Sequence, residues 1–296
     1  AAWLAGLAWR RSSWLMLRLP AQKAAAAAGF LAALIYCLLA GFAVPAQRTL
    51  YMLAVVALAL GTGRTTAVSR VLALALLLVL LLDPWAVLAA GFWLSFGAVG
   101  LLFYVGAGRL GEGHWLAHWG RAQWAVTIGM VPALLALFQQ FSLVSPIANA
   151  IAIPVVSLLV TPLALIGSLP LGEPVLWLAH WLTEWLMRLL HWLSSSGWAV
   201  WQQQAPPAWA VALGLAGVGW LLLPRGFPAR WVGAVALVPL VTMPVERPAP
   251  GELVVRMLDV GQGLAVHVQT AGHDLLYDTG PAFSADADSG NRIIVP

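Results

Sequence analysis

Long apolar runs with almost no charge inside them constrain this chain more than any other feature. A helix needs about 20 apolar residues to cross a bilayer core. Residues 24–43, 49–62, 68–82, 85–105, 124–141, 149–169, 209–223 and 231–243 reach that length or approach it, and 4–9 reads as the tail of an earlier span. In lipid the backbone must satisfy its own hydrogen bonds, so such runs have to be helices. Composition agrees: 61% of the residues are hydrophobic and 9% charged, against about 25% charged in a soluble domain. The charges are too few to cover a soluble surface, and the hydrophobicity is too high for disorder. The expected fold is a mainly α-helical polytopic membrane bundle of about eight to nine spans.

Charge sets the topology. Residues 1–245 carry twelve Lys/Arg and four acids, a net of +8, and residues 246–296 carry three and seven, a net of −4. Basic residues collect in cytoplasmic loops. With Arg10, Arg11, Arg18 and Lys23 inside, successive crossings put Arg64, Arg70, Arg109, Arg121, Arg225 and Arg230 inside as well. Arg48 and Arg247 fall on the other side, Arg48 snorkelling from the end of its span. Residues 246–296 are then external, provided that 176–198 also crosses.

That last segment is unlike the others. His180, Glu184, Arg188 and His191 share one helical face, and Trp177, Trp181 and Trp185 form a second stripe. Such a helix suits either a water-facing bundle wall or the membrane interface. His180 and Glu184 have helical metal-ligand spacing, but no third ligand accompanies them. Glu184 and Arg188 are spaced to neutralise each other. Of the seventeen tryptophans, Trp85, Trp115, Trp119, Trp124, Trp209, Trp220 and Trp231 lie near span ends, as an aromatic belt would; a stacking surface for bases is the alternative. Cys37, the sole cysteine, reads as a small buried apolar residue.

The tail changes character. Arg247-Pro-Ala-Pro-Gly251 lies in a linker over 246–251, and 252–296 alternates like short strands between glycine turns at Gly261-Gln262-Gly263 and Gly272. Asp259 and Asp278 are placed to cap turns. Some fifty residues of this kind make a poor independent core, so the β-rich tail reads as cut short, and the chain, which starts with Ala, as lacking its N-terminal part.

Leu258-Asp-Val-Gly-Gln-Gly263 followed by Tyr277-Asp-Thr-Gly280 resembles the opening of the metallo-β-lactamase-like αββα domain of ComEC-type DNA internalisation proteins. Pro45-Ala-Gln-Arg-Thr49, Leu82-Asp83-Pro84-Trp85 continuing through Gly91 to Phe96, and Ser142-Leu-Val-Ser-Pro-Ile-Ala-Asn149 continuing to Pro154 resemble segments of the membrane region of that family, in the family's order. The resemblance implies a competence-type transmembrane domain over 1–245 and the truncated start of the hydrolase-like domain over 252–296. It implies a bacterial inner-membrane channel that passes one DNA strand into the cytoplasm during natural transformation. Single-stranded DNA, the lipid bilayer, a periplasmic DNA receptor and a separate cytoplasmic translocation motor are the partners it implies. No phosphate-binding loop of the G-x-x-x-x-G-K-[ST] type is present, so an ATP-driven motor would be another protein.

The resemblance also implies a divalent metal in the complete hydrolase domain, held by an H-x-H-x-D-H cluster. No such string occurs in these residues, so no catalytic or metal-ligating residue is expected here. Asp259, Gly261, Gln262, Gly263, Asp278 and Gly280 would be supporting residues, with Asp278 orienting a metal loop from behind. Asp83 and Pro84 support the membrane motif, Asp83 as a helix cap.

A path for a polyanion needs polar walls and clearance, and polar groups inside spans should face a cavity. Gly91, Phe92, Trp93, Ser95, Phe96, Gln139, Ser142, Ser145, Asn149 and Pro154 are the path candidates. Phe92, Trp93 and Phe96 are open to two readings, helix packing or gating. Residues 145–154 are either a broken, re-entrant segment or an outer loop before a proline-kinked span. Two rival functions are a membrane-anchored metallohydrolase whose catalysis lies in a missing part, and a small-solute transporter.

Overall fold

A computed structural model describes residues 2–62, 67–106, 115–170, 172–224, 226–243, 247–284 and 287–288. Arg64, Arg109, Trp115's side chain and Arg225 lie outside what it describes. The chain forms two compact units, Ala1–Tyr104 and Val105–Pro296.

The first unit is helical. α1 (Ala2–Arg10), α2 (Ser13–Arg18), α3 (Ala21–Leu39), α4 (Val44–Gly61) and α5 (Val68–Leu82) lead through a 3-10 turn, Pro84–Leu88, into α6 (Ala90–Gly106). Residues 4–9 belong to α1, which packs along α3. α3 opens with an alanine run, the strongest helix formers. It stops where Gly41 and Phe42 take positive φ of 70° and 56° and the Phe42 N–H reaches back to the Cys37 carbonyl at 2.8 Å, a Schellman-type stop. Pro45 then opens α4, where a missing N–H costs nothing. α4, α5 and α6 close on a core of Val55, Ala75, Val79, Ala86, Phe92 and Phe96.

The run expected over 85–105 begins later than its hydropathy suggests. Asp83, forced from helical geometry by Pro84, has φ −139° and ψ 87°. The turn after it closes with i→i−3 bonds, and Ala89 is extended before α6 starts.

The second unit contains α7 (Trp115–Phe138), β1 (Gln140–Ser142), α8 (Ser145–Pro154), a π-helical segment Val155–Val160, α9 (Thr161–Gly167), α10 (Glu173–Ser194), β2 (Val200–Gln202), α11 (Ala208–Leu221), α12 (Trp231–Val235) and α13 (Val238–Thr242). Leu135, Ala210 and Leu240 form its buried centre. Gly214 admits Leu240, whose Cδ1 would lie 2.5 Å from an added Cβ; small residues let helices approach in this way. The stretch expected as a span over 231–243 is two short helices about a turn at 236–237.

Ser145–Gly167 is one continuous helical run, which corrects the re-entrant reading of 145–154. Pro146 sits in the first turn of α8, where it is tolerated. Pro154 is absorbed by the wider π segment, in which the Ser157 hydroxyl donates to the Ile153 carbonyl. Such π turns concentrate at functional sites.

Among the described residues, four helical runs, Ala21–Leu39, Val44–Gly61, Ala117–Phe138 and Ser145–Gly167, are long and apolar enough to cross a membrane by length and composition. Val68–Leu82, Ala90–Gly106, Ala208–Leu221 and Trp231–Thr242 are apolar but shorter. The tail is an antiparallel sheet of β3 (Leu253–Met257), β4 (Val266–Thr270) and β5 (Asp274–Tyr277) in sequential order, followed by the pair β6 (Ala282–Ser284) and β7 (Ala287–Asp288).

Candidate functional site

In the first unit the stretch 83–96 forms one structural piece. The Asp83 carboxylate accepts the Trp85 N–H at 3.2 Å and so caps the turn started by Pro84. The Trp93 indole N–H donates to the Val87 carbonyl at 2.9 Å and ties α6 back onto that turn. Phe92 and Phe96 are buried and lie 4.9 Å apart between ring centroids, and Trp93 meets Phe92 edge-on at 5.4 Å. Phe92 and Phe96 belong to the core shared by α4, α5 and α6, whereas Trp93 is exposed. Ser95 is half-buried.

Arg48 was expected to snorkel and does not. It is 8% exposed, and its Nε and Nη1 are buried with no hydrogen-bond partner. Its guanidinium lies over Gly91: a Cβ there would be 3.2 Å from both Nη1 and Nη2. Glycine at 91 therefore makes room for an arginine rather than for a neighbouring helix. Nothing in local hydropathy signals this, because the arginine and the glycine sit on different helices.

In the second unit the path candidates meet a segment that sequence reading overlooked. β1 pairs antiparallel with β2, Gln140 opposite Gln202, Phe141 opposite Trp201 and Ser142 opposite Val200. Gln139, at φ 57°, turns the chain out of α7 and accepts the Gln203 N–H at 3.0 Å. Gln202 Nε2 lies 3.3 Å from Gln140 Oε1, and the Trp201 indole donates to Gln203 Oε1 at 2.9 Å. The Gln203 amide also donates to the Leu240 carbonyl. The Ser142 hydroxyl is 3.4 Å from the Ala199 carbonyl. The result is a cluster of amide side chains at the ends of α7 and α10. The run Gln202-Gln203-Gln204 was the signal available for it. Asn149 is exposed one turn into α8 and donates to the Ser145 hydroxyl at 3.0 Å, while Pro154 is half-buried farther along.

α10 packs back along α9 and the π segment, and its 22 residues extend about 33 Å at 1.5 Å each. Glu184 and Arg188 pair at 2.6 Å, so Glu184 is engaged, and His180 rests edge-on against Trp177. Trp177, Trp181 and Trp185 are exposed, as are Trp85, Trp124, Trp209 and Trp231. Apolar surface of this extent needs a non-aqueous neighbour.

In the tail the two glycine turns interlock. Asp259 Oδ1 accepts the Gly261 N–H at 3.2 Å. Asp278 Oδ1 accepts the Thr279 and Gly280 N–H groups at 2.7 and 3.2 Å. The Gly280 N–H also reaches the Leu264 carbonyl at 3.1 Å, and Gly263 packs on Gly280 and Pro281. Gln262 is exposed at the tip of its turn. At the other end of the β4–β5 pair, Asp274 is held by Arg247 at 2.8 Å and His267 at 3.1 Å. Desolvation acts to raise its pKa. The hydrogen bond and charge of Arg247, with hydrogen bonds from His267 and Gln269, outweigh that effect and leave it lowered.

These residues do not fit a metal. Asp259 and Asp278 are spent on turn amides and Asp274 on an arginine, and among the described residues no three His, Cys, Asp or Glu side chains gather. No chemical step through a metal is derived for them.

The family model described as competence protein matches residues 2–228. The chain is 42% identical to "Competence protein ComA" of Neisseria gonorrhoeae over 90% of its own length and 39% of that protein. It is 30% identical to "Uncharacterized protein YcaI" of Escherichia coli over 90% and 37%. It is 28% identical to "Recombination protein 2" of Haemophilus influenzae over 86% and 38%. The chain thus spans less than two fifths of the curated relatives it matches. No solved structure matches it significantly.

Proposed function

The chain belongs to the competence protein family, and on that premise we propose that it is the membrane part of an inner-membrane channel for single-stranded DNA uptake during natural transformation. The observation that carries the reading is the family match over 2–228, laid on a set of helices apolar enough for a bilayer.

The β1–β2 pairing supports a multi-pass topology. β1 follows α7 and β2 follows α10. If Ser145–Gly167 crosses once, α10 must cross back for the two strands to meet. In this reading the chain crosses about eight to nine times, the shorter apolar helices included, and the tail is external. Arg70, Arg121 and Arg230 fall on the cytoplasmic side, where basic loops belong. The N-terminal ends of α4 and α6 fall on the opposite side, where a strand would arrive from a periplasmic receptor. A separate cytoplasmic motor would draw it through.

The tail is the start of a metallo-β-lactamase-like domain in this reading, with the interlocked turns at Gly261–Gly263 and Asp278–Gly280 as its scaffold. A metallohydrolase reading of the parent protein draws on those same turns, with any metal ligands supplied from elsewhere. Neither those turns nor the amide cluster gives specific support to a small-solute transporter.

Deletion of the gene in a naturally competent host tests the proposal. Labelled DNA should still reach the periplasm and fail to enter the cytosol. Normal cytosolic entry overturns the channel reading.

A further inference from the structure

Arg48 and the start of α6 together have an electrostatic problem. Arg48 is buried with two guanidinium nitrogens unpaired. It lies against Gly91, the second residue of α6. The first N–H groups of a helix have no intrahelical carbonyl to bond and carry partial positive charge. A lone buried cation beside a helix N-terminus is doubly unfavourable, and an anion that contacts both removes both penalties. The only acid in residues 1–104 is Asp83, and its carboxylate already accepts the Trp85 N–H. The counter-ion is therefore absent from this unit's own side chains.

The recognising chemistry is that of a phosphate. A guanidinium fork and a helix N-terminus both favour a tetrahedral oxyanion, and the missing side chain of Gly91 lets the guanidinium lie directly over the first turn of α6. Residues 1–104 hold seven Lys/Arg against one acid, a balance that suits a polyanion. Topology accounts for the other six, which share the basic side, but not for Arg48, which falls opposite them.

We propose that Arg48 and the first turn of α6 at Gly91 form a seat for one phosphodiester group of the DNA strand, at the end of the bundle where the strand enters. This rests on the channel reading and adds to it a contact residue.

The test uses the whole chain in phosphatidylcholine nanodiscs and a fluorescein-labelled oligothymidylate, with anisotropy read across a KCl series. Arg48→Met should weaken binding about tenfold, as expected for loss of a charge-assisted hydrogen bond. It should also lower the slope of log affinity against log salt by about 0.7, the share of one single-strand phosphate. Its melting temperature without oligonucleotide should not fall, because an unpaired buried charge has been removed. Arg48→Lys keeps the charge without the fork and should bind with intermediate affinity. Gly91→Ala crowds the seat and should weaken binding with Arg48 intact. A methylphosphonate-backbone oligonucleotide should bind wild type and Arg48→Met alike.

Unchanged affinity and salt slope in Arg48→Met, with wild type binding, overturn the seat and leave the channel reading standing. Failure of wild type to bind the oligonucleotide overturns both. A lower melting temperature in Arg48→Met with unchanged binding assigns Arg48 to structure and overturns the seat. Stabilisation by phosphatidylglycerol that is lost in Arg48→Met, with oligonucleotide affinity unchanged, assigns the seat to lipid and overturns the strand.

Discussion

Gln202 Nε2 lies 3.3 Å from Gln140 Oε1 across two three-residue strands, joining positions 62 apart in sequence. The contact fixes the chain leaving α7 beside the chain leaving α10. Whatever side of a bilayer one occupies, the other must share.

Cysteine labelling checks this. In a Cys37→Ala background, Leu143→Cys and Gly197→Cys should react with an impermeant maleimide from one side, and Ser168→Cys from the other. All three positions are exposed. Labelling of Leu143→Cys and Ser168→Cys from the same side would mean that Ser145–Gly167 does not cross.

Phe92 and Trp93 are neighbours with opposite environments, buried at 1% and exposed at 52%. Phe92→Ala should destabilise the protein by about 3–5 kcal/mol, the range for a buried phenylalanine. Trp93→Ala loses one indole hydrogen bond to Val87 and should cost about 1 kcal/mol. Denaturant unfolding in detergent separates the two. Equal costs would place Phe92 outside the core.

The apolar runs were legible because lipid permits so little else: charge is excluded and the backbone must close on itself. The stop at Asp83-Pro84 followed from proline's missing N–H, whereas the helix starts at Pro45 and Pro146 were not read. The amphipathic faces of α10 could be read from spacing alone. Arg48 could not be read in this way. Hydropathy treats an arginine near a helix end as snorkelling, and its burial depends on the absent side chain of Gly91 on another helix. β1 and β2 are too short to carry a period, and their pairing is set by where α8 to α10 return the chain. The 149–169 run was read as a helix, but not how it passes Pro154, because the π segment and the Ser157 hydroxyl supply a local solution that proline statistics do not describe. In the tail, glycine spacing gave the turns, but not that the two turns would pack on each other.

Gly263 and Gly261 differ in why they must be glycine. At Gly263 a Cβ would stand 2.7 Å from Pro281 Cδ and 3.2 Å from Gly280 Cα, a clash between the two turns. At Gly261 the space is open, but φ is 76°. Gly263→Ala should cost about 1–3 kcal/mol through overpacking, and Gly261→Ala about 1–2 kcal/mol through left-handed strain. Hydrogen exchange tells them apart. Gly263→Ala should expose the Gly280 amide, which bonds the Leu264 carbonyl, and Gly261→Asn should restore much of what Gly261→Ala loses. Full protection of Gly280 in Gly263→Ala would show that the turns do not depend on this contact.

Asp274 makes the sheet sensitive to acid. Its ordinary pKa is 3.8. Desolvation pushes it up, but the hydrogen bond and charge of Arg247, with bonds from His267 and Gln269, bring it below that value in the folded protein. A carboxyl with a depressed folded pKa binds protons more readily when unfolded, so it contributes stability above its unfolded value and loses it as pH falls through the folded one. Protection of the β4 and β5 amides should therefore be flat from neutral pH down to about pH 4 with respect to this group. Below that it should decline as Asp274 protonates and releases Arg247. The group is exposed, so the effect should be small and should shrink in high salt. Asp274→Asn should remove this acid-dependent component and lower protection at neutral pH. Identical pH profiles for wild type and Asp274→Asn, read by hydrogen exchange at β4, would show that the Arg247–Asp274–His267 group does not hold the sheet.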